Sequence, residues 1–130
     1  MTNFNEYVGL QIVQRHAKGV TVECRLRKEL MNFAGVLHGG VTATLADVAV
    51  GQALIRRGLT STTVELKINY LRPVTGRKVV ARSHLLRIGK TLSTARVDVF
   101  DDQHNLAAVA LVTYMLLDAN DPRGLRRRKG

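Results

Sequence analysis

Tryptophan is absent from this chain, cysteine occurs once, proline twice, and phenylalanine and tyrosine together only six times in 130 residues. Each shortage removes a class of protein. The lone Cys24 has no partner for an intrachain disulfide and no Cys or His at metal-ligand spacing, so a reducing compartment and a metal-free fold are expected. So few aromatics, with no basic helix and no aromatic-studded strand, give little support to a single-stranded nucleic-acid platform, and nucleic acid is not the expected partner. Residues 1–6 lack the basic and apolar stretches of a signal peptide, which favours a cytoplasmic protein. The mostly apolar residues 41–55 are too few to span a bilayer, and carrying the segment back to Gly35 brings His38 into it alongside Asp47 and Gln52. It reads as a buried core helix, with no membrane involved.

What is present suffices for one domain with its own core, since a chain of this size buries roughly two-thirds of its unfolded surface. Twenty basic residues against ten acidic ones leave a net charge of +10. Arg123, Arg126, Arg127, Arg128 and Lys129, opposed by Asp121, put +4 of it on residues 121–130, read as a disordered tail behind a domain of residues 1–120 that keeps +6. A basic domain suits a phosphate-bearing ligand such as a nucleotide or coenzyme.

After a short segment with helical-turn character, residues 9–14 and 20–27 read as strands joined by the turn Ala17-Lys18-Gly19. In the second, Val20, Val22, Cys24 and Leu26 alternate with Thr21, Glu23, Arg25 and Arg27, as in a strand with one buried face. Residues 28–37 break the pattern as a loop containing Asn32 and Gly35. A long helix follows from His38-Gly39-Gly40 to about Arg57, where two arginines complement the helix dipole and Gly58 suits the stop. Residues 62–71, 78–88, 92–100 and 106–117 then read as four strands in an antiparallel meander. The first alternates Val64, Leu66, Ile68 and Tyr70 against Glu65, Lys67 and Asn69 and ends at Pro73. The last is apolar on both faces, as in mid-sheet or at an intersubunit contact. The order implies an α+β domain in which a curved antiparallel sheet of about six strands wraps one long helix.

Asp47 is the only charge in residues 41–55, and the helix is apolar or small on every side, as one buried all round would be. A sheet covers one side only, so a second copy of the chain is expected over the rest, making a homodimer. An ionised carboxylate in such surroundings needs a partner or a polar cavity, or it titrates abnormally; a structural carboxylate bonded to Thr42, Thr44 or a neighbouring strand is the plainer alternative. Gly39 and Gly40 offer backbone amides and the positive end of the helix dipole to an anion or developing oxyanion. His38 beside them is placed to orient the Gly39 amide, cap the helix or bond a substrate group. Asp47 lies about 12 Å along the axis from Gly39, too far to act on the same atom within one chain. Two helices packed antiparallel across a two-fold axis would bring the Asp47 of one to the His38-Gly39 end of the other.

The pattern Asn32-x-x-Gly35-x-x-His38-Gly39-Gly40-x-x-x-x-Leu45-x-Asp47, followed by Val64-x-Leu66-x-Ile68-x-Tyr70-x-x-Pro73, resembles the hotdog-fold acyl-CoA thioesterases of the phenylacetate-degradation (PaaI) type over about residues 5 to 117. That resemblance implies a hotdog fold, dimers that share continuous sheets and in many members pair into a homotetramer. It also implies thioester hydrolysis without metal or cofactor, coenzyme A entering only as part of the substrate. Carried over by residue, it implies that the Gly39 amide binds the thioester oxygen with His38 in support and Gly40 beside it at the substrate. Asn32 would help hold the water or the thioester. Asp47 of the other subunit would act as general base or as nucleophile. Thr63 stands where relatives have a small hydroxyl residue that positions the carboxylate or the water, although a strand threonine is as often only a β-former. Arg72, Arg77, Arg87 and Lys90 lie near strand ends and turns where a coenzyme phosphate could dock, with Lys90 and Arg72 taken as candidates. The expected activity is hydrolysis of an aryl- or medium-chain acyl-CoA at a site shared between two subunits. The alternative is a non-catalytic acyl-CoA-binding sensor or regulatory module of the same fold.

Overall fold

In a computed structural model that describes residues 3–121 and 126–129, the chain begins with helix α1 (Phe4–Val8). Asn3 caps it by accepting the Glu6 amide at 2.9 Å, and Gly9 ends it in a left-handed conformation. Strands β1 (Leu10–His16) and β2 (Gly19–Arg25) follow, then a 3-10 turn (Lys28–Leu30), the long helix α2 (Gly39–Arg56), and strands β3 (Ser61–Tyr70), β4 (Lys78–Ile88), β5 (Leu92–Asp101) and β6 (Leu106–Leu116). All six strands form one antiparallel sheet in the order β1-β2-β4-β5-β6-β3. This is the hotdog arrangement, and α2 lies on the sheet's inner face.

The sheet corrects the expected four-strand meander. Only β4, β5 and β6 follow one another; β3 pairs with β6 at the outer edge, and β4 pairs with β2 instead. Going from β3 to β4 therefore means crossing three strand spacings, about 14 Å, which residues 71–77 can span. That crossing carries the chain past the start of α2, where the Leu37 amide donates to the Val74 carbonyl at 2.9 Å.

Small and branched side chains build the core. Thr42, Leu45, Ala46, Ala49, Val50, Ala53 and Leu54 recur at helical spacing on the buried face of α2. They meet Val20, Val22 and Cys24 of β2 and Val79, Ala81 and Leu85 of β4. Buried among them, the Ser83 hydroxyl accepts the Val20 amide at 3.0 Å and donates to the Ala49 carbonyl at 2.8 Å, pinning the middle of α2 to β4 and β2. The other helix face is not enclosed within this chain: Val41, Thr44, Val48 and Gln52 are half-buried. Burial all round does not hold for one copy, because a single sheet shields one side of a helix.

A second correction concerns β3. Thr63 pairs with Tyr114 and Leu66 with Val112, so three steps along β3 match two along β6, and Val64 is the inserted residue of a β-bulge. Val64 is 50 % exposed, which breaks the alternation expected from the chain. The bulge shifts the side-chain period by one, so Thr63 joins Leu66, Ile68 and Tyr70 on the helix side.

Of the basic run expected as a tail, Arg123 lies outside the described residues. The Asp118 amide donates to the Arg126 carbonyl at 2.7 Å and the Arg128 amide to the Leu116 carbonyl at 2.6 Å. No helix among the described residues is long and apolar enough to cross a membrane.

Candidate active site

Asp47 projects from the middle of α2 toward the β3–β6 edge, half-buried rather than sealed in the core. Its Oδ1 accepts the Thr63 hydroxyl at 2.6 Å. The Tyr114 hydroxyl, reaching in from β6, lies 2.8 Å from the same Oδ1 and 2.6 Å from the Asp47 carbonyl oxygen, so one phenolic proton is shared between two acceptors. Oδ2 has no hydrogen-bond partner among the described residues. The carboxylate is thus held by strands; Thr44 instead donates to the Gly40 carbonyl at 2.8 Å, within the helix. Burial pushes the Tyr114 phenol above its ordinary range, and the Asp47 charge adds to the effect, so Tyr114 stays a protonated donor. Sequence reasoning missed Tyr114, which is 67 residues away from Asp47. A signal was present in Gly51, one turn beyond Asp47: a Cβ there would lie 2.9 Å from the Tyr114 oxygen.

At the start of α2, His38 is the N-cap. Its Nδ1 accepts the Gly40 amide at 2.9 Å, which commits that amide to the cap. The Tyr70 hydroxyl donates to the Gly39 carbonyl at 2.6 Å, so the peptide between Gly39 and Gly40 is held at both ends. The Gly39 amide has no partner among the described residues. It borders a cavity of about 420 Å³ lined by Leu37, Thr42, Tyr70, Arg72 and Val74 among others. Asn32 shapes the loop ahead of it: its Oδ1 accepts the Ala34 amide at 2.9 Å and the Val36 amide at 3.2 Å. Phe33, at the tip of this loop, is fully exposed, while Val50 lies within α2 on its buried face.

The residues therefore fall into two groups within one chain. Asp47 and Thr63 stand together; His38, Gly39, Gly40, Asn32 and Arg72 stand at the other end. Lys90 is not near Gly39. Tyr70 pairs with Ala108 and Leu92 with Met115, and those β6 positions are separated by about 23 Å of strand, so the turn holding Lys90 lies toward the Asp47 end. Its carbonyl there accepts the Arg128 guanidinium at 2.8 Å. Chemically, one end offers a positioned carboxylate and the other an unpaired amide at a helix N-terminus beside an apolar cavity. Among the described residues no group of three His, Cys, Asp or Glu side chains is placed to hold a metal ion.

Residues 34–108 match the family model of the thioesterase superfamily. The medium/long-chain acyl-CoA thioesterase YigI of Salmonella typhimurium is 32 % identical over 132 residues, spanning 87 % of this chain and 84 % of that protein. Human acyl-coenzyme A thioesterase 13 is 37 % identical over 101 residues, 75 % of this chain and 72 % of its own. Among solved structures, a mutant of the phenylacetic acid degradation protein PaaI from Thermus thermophilus superposes with a TM-score of 0.79 at 26 % identity, over 86 % of this chain and 96 % of that one.

Proposed function

This chain belongs to the thioesterase superfamily and is a thioester hydrolase, and from that premise we propose that it hydrolyses aryl- or medium-chain acyl-CoA in the cytoplasm, at a site made by two subunits and without metal or cofactor. The observation that carries the reading is the separation of the two groups: a carboxylate with one oxygen unpaired, and an unpaired Gly39 amide about 12 Å away along the same helix. Neither group completes a site alone. In a two-fold dimer the Asp47 of one subunit faces the Gly39 amide of the other across the thioester.

Two surfaces support such a dimer. The helix face bearing Val41, Thr44, Val48 and Gln52 is half-buried in one copy. Strand β3 lies at the edge of the sheet and is largely exposed along its ten residues, with Val64 half exposed on the face away from the helix, which is the kind of edge that a second chain can extend. Pairing of dimers into a homotetramer is part of the same proposal. The cavity next to Gly39 would take the acyl group, and Arg72 on its rim and Lys90 near the partner's end would meet coenzyme phosphates.

In the reaction, the Gly39 amide holds the thioester oxygen as negative charge develops there. Asp47 either takes a proton from a water whose oxygen bonds to the carbonyl carbon, or bonds to that carbon itself and forms an anhydride that water then opens. In both cases the C–S bond breaks and the thiolate leaves to be protonated as free coenzyme A. Thiol release measured over acyl-CoAs of graded length and aromaticity tests the function. Turnover that disappears in Asp47→Ala supports it; equilibrium binding without turnover would instead identify a sensor.

A further inference from the structure

Resting on that reading, the geometry points to Tyr114 as a positioning residue for Asp47: it holds Oδ1 together with Thr63, so that Oδ2 alone is presented to the thioester, and Gly51 is the helix position that admits it.

Two strands converge on one carboxylate oxygen of α2. Tyr114 comes from β6, an interior strand flanked by β5 and β3, where its Cα pairs with Ser93 on one side and Thr63 on the other. Its ring is buried, and its hydroxyl lies 2.8 Å from Oδ1 and 2.6 Å from the Asp47 carbonyl. Thr63 comes from β3 by way of the bulge at Val64 and donates at 2.6 Å. A carboxylate oxygen that already accepts two donors is a poor base and a poor nucleophile, because its lone pairs are engaged and stabilised. Oδ2, with no partner among the described residues, keeps its lone pairs for the reaction. This holds for either route. If Asp47 is the base, Oδ2 takes the water proton as the C–O bond forms, and gives it up to the departing thiolate as C–S breaks. If it is the nucleophile, the new C–O bond is to Oδ2 as C–S breaks, and water later restores the carboxylate.

Gly51 provides the independent observation. A glycine inside a long helix weakens it relative to alanine, so its presence needs a reason. It lies four residues after Asp47 and hence on the same helix face. A Cβ there would come within 2.9 Å of the Tyr114 oxygen and 3.6 Å of the ring. Either the phenol or the helix would have to move. The glycine thus makes room for the hydroxyl that holds Asp47.

The test compares the wild-type chain with Asp47→Ala, Tyr114→Phe, Gly51→Ala and the double variant Tyr114→Phe/Gly51→Ala. Thiol release from the best acyl-CoA of the panel is followed beside thermal unfolding. A donor to a charged group is removed, so Tyr114→Phe is expected to lower kcat about 10- to 100-fold with KM within about twofold. Gly51→Ala is expected to lower kcat with a melting temperature lower by no more than a few degrees, because the helix preference for alanine partly offsets the displaced Tyr114 hydroxyl. The double variant falls no further than the worse single, because both changes break one contact. An unchanged kcat in Gly51→Ala, losses that multiply in the double, or an effect confined to KM would each overturn the role. If Tyr114→Phe fails to fold, Gly51→Ala decides by itself. A wild type that releases no thiol, or a fully active Asp47→Ala, would bring down the thioesterase reading and this role with it. With an active wild type and a dead Asp47→Ala, the thioesterase reading stands, and the Tyr114 and Gly51 variants alone decide the positioning role.

Discussion

The Tyr70 hydroxyl donates to the Gly39 carbonyl at 2.6 Å, tying the far end of edge strand β3 to the first turn of α2. Thr63, near the other end of the same strand, holds Asp47 at 2.6 Å. One strand therefore sets where both chemistry-bearing positions of the helix sit. Because β3 is also the free edge of the sheet, whatever pairs with it would be registered against both.

Tyr70→Phe keeps the ring that lines the cavity and removes only the donor to Gly39. One hydrogen bond of this kind contributes about 0.5–1.5 kcal/mol, so kcat/KM is expected to fall by up to about tenfold and the melting temperature by a few degrees at most. Full activity would show that the Gly39 peptide needs no such clamp.

Gly39→Pro removes the amide while leaving the helix a residue it accepts at its first position, so a folded protein at least about 100-fold slower is expected. Circular dichroism controls for the close approach of Tyr70, whose oxygen would lie 3.1 Å from a Cβ at this position.

Subunit mixing tests the shared site. Asp47→Ala and Gly39→Pro chains, each inactive alone, should regain up to about a quarter of wild-type activity when coexpressed, since half of the dimers are mixed and each mixed dimer has one intact site. No recovery from verified mixed dimers would mean that both groups act within one chain.

His38→Ala frees the Gly40 amide from its cap and is expected to cost about 0.5–2 kcal/mol, seen as a melting temperature lower by a few degrees. His38→Asn supplies another capping oxygen and should recover that stability. If activity returns along with stability, the role of His38 is the cap; stability without activity would give the imidazole a part in the chemistry.

Ser83→Ala leaves the buried Val20 amide without its side-chain acceptor and the Ala49 carbonyl without its donor. A loss of about 1–3 kcal/mol in denaturant unfolding is expected, with kcat of the folded protein unchanged. A larger effect on kcat than on stability would connect the Ala49 turn of the helix to Asp47.

How much could be read from the chain varies by element. The alternation of Val20, Val22 and Cys24 in β2, all three buried, and the Gly58 stop of α2 are local, so spacing alone locates them, and Gly58 does adopt a positive φ of 77°. Asp47 stands out for the same reason, as a lone charge in a helical run. The Val64 bulge does not, because a bulge exists only relative to the partner strand. Read alone, Val64 continues a perfect alternation; paired with β6, it is the residue that falls out of register and turns Thr63 toward the helix.

By itself, the sequence determined the strand and helix content, the start and stop of α2, and the argument that Asp47 and Gly39 are too far apart to share an atom in one chain. All of these follow from periodicities of two and 3.6 residues and a fixed rise per residue. The tertiary structure decided what holds each group. Tyr114 reaches Asp47, Tyr70 reaches Gly39, and Gly51 makes way for a hydroxyl, and these contacts join residues from 31 to 67 positions apart. No local pattern encodes such a pairing, because it arises only when strand order and register bring separate segments within hydrogen-bond distance.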